Sequence, residues 1–312
     1  MTRIAVMVPC YNEEASIPAV IRDFRTALPG AAIYIYDNNS TDRTAEVAAA
    51  AGAIVRAEPL RGKGNVVRRM LADIEADVYV MVDGDDTYEA AAAPRLIDRL
   101  LTDNLDMVTG RRITDIKEAY RPGHRLGNRV LTGLVAQTFG NRSADMLSGY
   151  RVFSRRFAKS FPAQSSGFEI ETELTVHALE MRLPIADVDT VYKDRPEGSV
   201  SKLNTYRDGI RILRTIFYFI KEERPLAFFS LLAGFLALIS VIISVPLLFT
   251  YLETGLVPRF PTAILATGLM VIGMLSLTCG LILDTVTLGR REMKRLAYLR
   301  YRAPGAAESD PT

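Results

Sequence analysis

Two stretches of this 312-residue chain carry no charged side chain: Leu226–Phe249, with 24 residues, and Thr262–Leu283, with 22. No other feature restricts the fold as much. At ~1.5 Å rise per residue each forms a helix of roughly 33–36 Å, long enough to cross a bilayer core of ~30 Å. The competing reading is a pair of buried core helices, but a soluble core helix rarely stays apolar on every face over such a length. The link "YLETGLVPRFP" is short, which predicts a helical hairpin. Flanking charge orients it. Lys221 and Arg224 precede the first span. Arg290, Arg291, Lys294, Arg295, Arg300 and Arg302 follow the second, while the link holds only Arg259 and Glu253. Both ends are therefore expected on the cytoplasmic side, with everything before residue 225. The sequons Asn39-Ser40-Thr41 and Asn141-Arg142-Ser143 then have no meaning as glycosylation sites.

Bulk chemistry excludes several classes. The 38 basic and 36 acidic residues leave a formal charge of +2, which argues against a broad nucleic-acid-binding surface. Cys10 and Cys279 belong to no CxxC pair, and His124 and His177 form no HExxH, so neither a disulfide framework nor a Cys- or His-based metal site is expected. The opening "MTRIAVMVPCYNEE" has an apolar run too short for a secretory signal.

Before residue 110 the chain alternates. "RIAVMVP", "AAIYIYD", "AIVRAE", "DVYVMVD" and "LDMVTG" read as strands. "EASIPAVIRDFRTAL", "STDRTAEVAAAA", "GNVVRRMLADIEA" and "AAPRLIDRLLTD" read as helices, the second with Ser40 or Thr41 as its cap. This predicts an α/β domain whose mostly parallel sheet is covered on both faces. Ligands of such sheets bind outside the carboxyl ends of the strands. Three polar clusters follow strands there: "CYNEE", "DNNSTD" and "DGDDTYE". Beyond residue 110 an arginine-rich segment ends in an apolar-periodic helix. "SGFEIETELTVHALEMRL" reads as a helix, "PIADVDTVYKD" as a strand, and "KLNTYRDGIRILRTIFYFIKEER" as a basic amphipathic helix entering the membrane.

The GxGxxG of a dinucleotide fold is missing after the first strand. "EPLRGKGN" is not a P-loop, because Ala57 stands where the first glycine belongs and Gly64 follows the lysine. No GxSxG elbow exists. What remains is the acid cluster Asp83, Asp85 and Asp86 at a strand end. Mg²⁺ and Mn²⁺ prefer oxygen ligands, often one or two carboxylates plus substrate phosphates, so such a cluster suits a metal-held nucleotide diphosphate. The plainer alternative is that these acids cap the next helix or sit solvated in a turn.

Six motifs in order settle which reading to follow: "VPCYNEE", "YDNNSTDRT", "RGKGNVVRRML", "VDGDDTYE", "ADMLSGYRVFSRR" and "RPEGSVSKLN". With them the chain resembles glycosyltransferase family 2, which has the GT-A fold, and within it the polyprenyl-phosphate glycosyltransferases, including dolichyl-phosphate mannose synthases. The resemblance implies an inverting transferase that moves a hexose from a UDP- or GDP-linked sugar onto a polyprenyl phosphate at the cytoplasmic membrane face. Pro9, Tyr11, Glu13, Asp37 and Lys63 would line the nucleotide. Asp83 and Asp85 would hold the nucleotide and a divalent cation, Mg²⁺ or Mn²⁺. Arg195 and Lys202 would meet the diphosphate, with membrane snorkelling as the bland role for Lys202. Arg111, Arg125 and Arg129 would take the acceptor phosphate or attract anionic lipid. Asp145 would orient the acceptor or only support the "SGYR" turn. Thr87 stands where the mannose synthases often carry glutamine, so the sugar stays open.

The implied organisation is a cytosolic GT-A domain over residues 1–204, an interfacial helix over 205–224, two transmembrane helices over 225–289 and a basic cytosolic tail over 290–312. The protein would be an integral membrane protein, placed in a bacterial inner membrane, with homo-oligomerisation open. Two alternatives carry less weight. A processive polysaccharide synthase would show Gln-x-x-Arg-Trp, and this chain has no tryptophan. A non-catalytic nucleotide-sugar sensor would not need an intact acid cluster.

Overall fold

The computed structural model describes residues 2–113, 145–193, 221–222 and 224–304. The expected roles of Arg125, Arg129, Arg195 and Lys202, and most of the interfacial helix, lie outside them. Two compact units are present, one formed by residues 1–216 with 294–312 and one by 217–293.

The first unit is built on a seven-stranded sheet. Its strands are β1 (Ile4–Cys10), β2 (Ala32–Asp37), β3 (Ile54–Ala57), β4 (Val78–Met81), β5 (Met107–Ile113), β6 (Arg151–Ser154) and β7 (Ile185–Val191). The order is β3-β2-β1-β4-β6-β5-β7. All pairings are parallel except those of β6, which runs antiparallel to both β4 and β5. Helices α1 (Ile17–Ala27), α2 (Thr44–Ala50), α3 (Lys63–Asp73), α4 (Ala93–Thr102), α5 (Arg155–Ser160) and α6 (Ile170–Glu180) cover it.

Period-two alternation explains the two-sided core. Val6, Val8, Ile33, Ile35, Val78, Val80 and Val152 face one way, onto Ile17, Ile21 and Phe24 of α1 and Leu96 and Leu100 of α4. Their neighbours Ala5, Met7, Tyr36, Tyr79, Met81 and Phe153 face the other way, onto Val67 and Met70 of α3, Phe157 of α5 and Leu174 of α6. A strand buried on both faces reads as a continuous apolar run, as "VYVM" does. His177 is a core residue here, edge-on to Phe157 and Phe161. Burial pushes it down to about 3, so it stays neutral.

Register decides where the polar clusters go. Cys10 lies beside Asp37, and Met7 beside Met81, so β1, β2 and β4 end on one rim. β6 runs the other way and begins with Arg151 beside Met81, so its approach, Ser148-Gly149-Tyr150, reaches the same rim. One expectation fails: neither Ser40 nor Thr41 caps α2, which starts later, after Arg43, with no side-chain cap. The Thr41 N–H donates to Asn12 Oδ1 at 2.7 Å, and Ser40 Oγ accepts the Asn12 N–H at 2.9 Å. These residues tie the first two clusters together instead of capping.

The second unit holds α7 (Pro225–Thr254) and most of α8 (Phe260–Leu299), both long and apolar enough to cross a membrane. Most of their side chains face outward. Their contact is a seam of small residues at every seventh position: Ala233 and Ser240 on α7, and Ala266, Gly273, Gly280 and Thr287 on α8. Ser240 donates to the Ala266 carbonyl at 2.7 Å, and Thr287 to the Glu222 carbonyl at 2.8 Å. Inside lipid apolar helices would gain nothing from the hydrophobic effect, so close backbone approach and bonds such as that of Ser240 would have to hold the pair. The stretch from 290, expected as a tail, is helical to Leu299. Its end belongs to the first unit, where the Tyr298 hydroxyl donates to Asp106 at 2.8 Å and Lys294 pairs with Glu180 at 2.7 Å.

A Cβ at Gly280 would lie 2.9 Å from that of Phe229, whereas Gly268 has nothing within 4 Å. Gly280→Leu should destabilise the hairpin by about 1–3 kcal/mol through overpacking. Thermal unfolding in detergent should show a lower Tm for Gly280→Leu and an unchanged one for Gly268→Leu.

Candidate active site

β4 delivers "DGDD" to the rim, and each acid finds a different partner. Asp83 pairs with Lys63. Asp85, buried, accepts from the Thr87 hydroxyl at 2.7 Å and the Thr87 N–H at 3.3 Å. Asp86 adopts φ 55° and turns to Lys193, 3.7 Å away. The loop is fastened from outside: the Lys193 N–H donates to the Thr87 carbonyl at 2.8 Å, and the Ser16 hydroxyl to the Gly84 carbonyl at 2.6 Å.

Lys63 reaches Asp83 because α3 starts hard against the loop of residues 164–167. The Gly64 N–H donates to the Ser166 carbonyl at 3.1 Å, and a Cβ at Gly64 would sit 2.1 Å from the Ser165 oxygen. Only glycine fits there. Asn38 clips the entry to the helix: its Oδ1 accepts the Gly62 N–H at 2.7 Å, and its amide donates to the Glu58 and Leu60 carbonyls. Burial alone would lower the Lys63 pKa. The charges of Asp83 and Glu171 override it and raise the pKa instead, so the ammonium persists.

The expected nucleotide side gathers at the ends of β1 and β2. Pro9 lies in β1, opposite Tyr36. Arg61 stands over the Tyr11 ring, 5.8 Å from its centroid. Glu13 is buried, its N–H donating to Thr44 Oγ1 at 2.8 Å and its carboxylate accepting from Ser16 at 3.1 Å. Asp37 accepts the Ser40 N–H through Oδ2 at 3.2 Å, while its Oδ1 is buried with no hydrogen-bond partner among the described residues. A buried lone acceptor is costly to leave unmatched and suits a hydroxyl or N–H of a bound nucleotide.

On the other side, Asp145 is clasped by Arg112, not by Arg111. Arg112 Nε and Nη2 donate to its two oxygens at 2.7 and 2.8 Å, and the Arg112 N–H adds a third bond at 3.3 Å. The same guanidinium covers the Tyr192 ring, 5.5 Å from the centroid. Successive residues of β5 point to opposite faces. Arg111 therefore turns away and pairs with Asp189, both about half exposed. Arg112 is a residue that sequence reasoning missed; the Arg-Arg pair directly after "LDMVTG" was its signal, because β5 runs on to Ile113. Burial alone would raise the Asp145 carboxyl, yet Arg112 outweighs it and holds it below the usual value.

The donor set fits a hard divalent cation. Asp83 and Asp85 offer carboxylate oxygens, and Asp83 already draws a cation from the chain. Among the described residues no group of three or more His, Cys, Asp or Glu could hold a metal alone, which suits a site completed by ligand oxygens.

Two predictions follow from this geometry. A Cβ at Gly149 would lie 2.4 Å from Asp83 Oδ2, so Gly149→Ala must displace that carboxylate. Turnover should fall by at least about tenfold, as when a residue that positions a metal ligand is changed, with the protein still folded by circular dichroism. Asp145 has a depressed pKa in the folded state, so its pairing stabilises above the unfolded value of about 3.9 and is lost as pH falls through the folded one. Asp145→Asn should cost about 3 kcal/mol in denaturant unfolding at pH 7 and less at pH 3.

The architecture has known counterparts. Glucosyl-3-phosphoglycerate synthase of Mycobacterium tuberculosis, solved with Mn²⁺, UDP-glucose and phosphoglyceric acid, superposes with TM-score 0.56 at 27% identity, covering 69% of this chain and 79% of that one. The domain is thus a GT-A-like α/β fold. The glycosyltransferase AglJ of Haloferax volcanii is 37% identical over 233 residues, 73% of this chain and 75% of that protein. The dolichyl-phosphate hexose transferase of the same organism is 30% identical over 222 residues, 71% and 95% respectively. Residues 5–161 match Glycosyl transferase family 2, and the chain belongs to that family.

Proposed function

We propose that this glycosyltransferase moves a hexose from a nucleoside-diphosphate sugar, UDP- or GDP-linked, onto a polyprenyl phosphate, with inversion at the anomeric carbon and the catalytic unit at the cytoplasmic membrane face. The observation that carries the lipid acceptor is the pair of long apolar helices that follows the catalytic unit. The relative named dolichyl-phosphate hexose transferase supports it. A water-soluble phosphorylated acceptor is the second reading, favoured by the structural likeness to glucosyl-3-phosphoglycerate synthase.

Asp83 and Asp85 would hold Mg²⁺ or Mn²⁺ together with the diphosphate. The cation would supply charge stabilisation for the leaving diphosphate. Lys63, fixed beside Asp83, adds a permanent positive charge at the same place. By resemblance, Arg195 and Lys202 join it. Asp37 and Tyr11 would receive the nucleoside. Asp145 is a poor general base, because a carboxylate held down by Arg112 has little affinity for a proton. Its role is to fix Arg112, which with Arg125 and Arg129 would face the acceptor phosphate. A lipid monophosphate with a second pKa near ~6 is largely ionised at neutral pH and needs no strong base.

The test uses full-length protein in detergent with UDP- and GDP-sugars, each offered polyprenyl phosphate or 3-phosphoglycerate. Transfer to the lipid should dominate, stop on chelation and return with Mg²⁺ or Mn²⁺, and the product should show the inverted anomer by NMR. Transfer to phosphoglycerate alone would overturn the lipid reading, and full turnover with chelator present would remove the metal.

A further inference from the structure

Behind Asp83 lies a residue that none of the sequence motifs singled out. Lys63 Nζ is shared by two carboxylates, Asp83 on the rim and Glu171 in the first turn of α6. Exposure separates them: the Asp83 side chain is 29% exposed, while those of Lys63 and Glu171 are 8% and 6% exposed. Asp83 therefore opens to the crevice, and the other two stand behind it. The helix turn that carries Glu171 is tied down. Glu173, in the same turn, accepts the Gln164 and Ser165 N–H groups at 2.8 Å each, and that loop in turn receives the Gly64 N–H. Lys63 and Glu171 are thus carried by two elements locked through one loop. Glu171 Oε2 is buried without a hydrogen-bond partner among the described residues, so this carboxylate depends on Lys63 for its compensation.

We propose that Glu171 is a positioning residue for the donor site: it keeps Lys63 in place while Asp83 exchanges the lysine for the divalent cation. This rests on the donor-site reading given above. Without metal or nucleotide, Lys63 neutralises Asp83. When a cation takes Asp83, a buried ammonium with no second partner would be left uncompensated, which is strongly unfavourable. Glu171 removes that obstacle. It holds Lys63 beside Asp83, where the ammonium meets the diphosphate oxygens that arrive with the cation. Lys63 and Glu171 thus act on cation affinity in opposite directions, the lysine as competitor and the glutamate as the anchor that lets it yield.

The opposition of signs provides the test. Binding of Mn²⁺ alone, and of UDP and GDP with Mn²⁺, is measured by calorimetry on the full chain in detergent. Glu171→Gln should weaken Mn²⁺ by about 10- to 100-fold, the range seen when a residue that orients a metal ligand is changed, and weaken the nucleotide as well. Lys63→Met should tighten Mn²⁺ but weaken UDP or GDP. In the double variant Glu171→Gln should have no further effect on Mn²⁺, because the lysine it restrains is gone. Glu171→Asp, which keeps the charge, should stay closer to the unaltered protein than Glu171→Gln and serves in its place if that variant does not fold. A purely structural role would move Mn²⁺ the same way in both single variants, and that result, or no change in either, overturns the proposal. If the unaltered protein binds neither Mn²⁺ nor nucleotide, the donor-site reading falls with it; if it binds both and only the sign pattern fails, the donor site stands and Glu171 is merely structural.

Discussion

The ion pair between Lys63 and Asp83 is the point on which the site converges. Asp83 comes from the end of β4, Lys63 from the start of α3, and the carboxylate lies against the Cα of Gly149 on the approach to β6. Three separate stretches of sequence therefore meet at one carboxylate, and each is constrained by it. Gly149 has no side chain because Asp83 fills the space. Gly64 has none because α3 must press on the Ser165 carbonyl to bring Lys63 forward. β6 must run antiparallel, since a parallel strand would start on the opposite rim and carry Gly149 away from β4.

Much of this was legible in the residues. The strands and helices of the first half announce themselves by apolar runs and helical periodicity, and "VYVM" followed by three acids marks the rim directly. β6 was not legible as a strand. It has four residues and opens with arginine, a poor sign for a central strand. Arg151 is nonetheless fully buried, because its guanidinium donates to the Ser148 carbonyl at 3.0 Å and the Met146 carbonyl at 2.6 Å and so finds its partners within the adjacent turn. Glu171 was hidden for a related reason. A helix whose buried residues include glutamates and threonines shows little amphipathic contrast, so "EIETEL" does not say which of its buried acids meets a lysine. Only the tertiary position of Lys63 identifies it.

The arginines show how one step along a strand changes what a side chain meets. Arg111 and Arg112 are chemically interchangeable on paper. In β5 they are separated by the pleat: one faces Asp189 near solvent, the other Asp145 under Tyr192. Under the proposed function a phosphate in the crevice would be met by the second rather than by the first. Asp145 then gains a role that its sequence position alone could not define. It is an anion that fixes the direction of a cation.

The same logic links the site to the apolar helices. A transferase whose acceptor is already an anion does not need a strong base; it needs positive charge placed at both ends of the reaction. Under the proposed function Lys63 would stand at the donor end, where the leaving diphosphate gathers charge, and Arg112 at the end from which an acceptor phosphate would approach. Each cation is held by a buried carboxylate, Glu171 for the lysine and Asp145 for the arginine. Lys63 and Arg112 are therefore preorganised before either substrate arrives, and the charge they carry is not lost to solvent reorganisation. Under the proposed function a long hydrocarbon tail would add nothing to that chemistry, so a unit that resembles glucosyl-3-phosphoglycerate synthase can be followed by two helices long and apolar enough to cross a membrane. In this scheme, acceptor choice rests with what lies around the arginines and with the membrane, while the paired cations and their carboxylates serve any phosphate that reaches them.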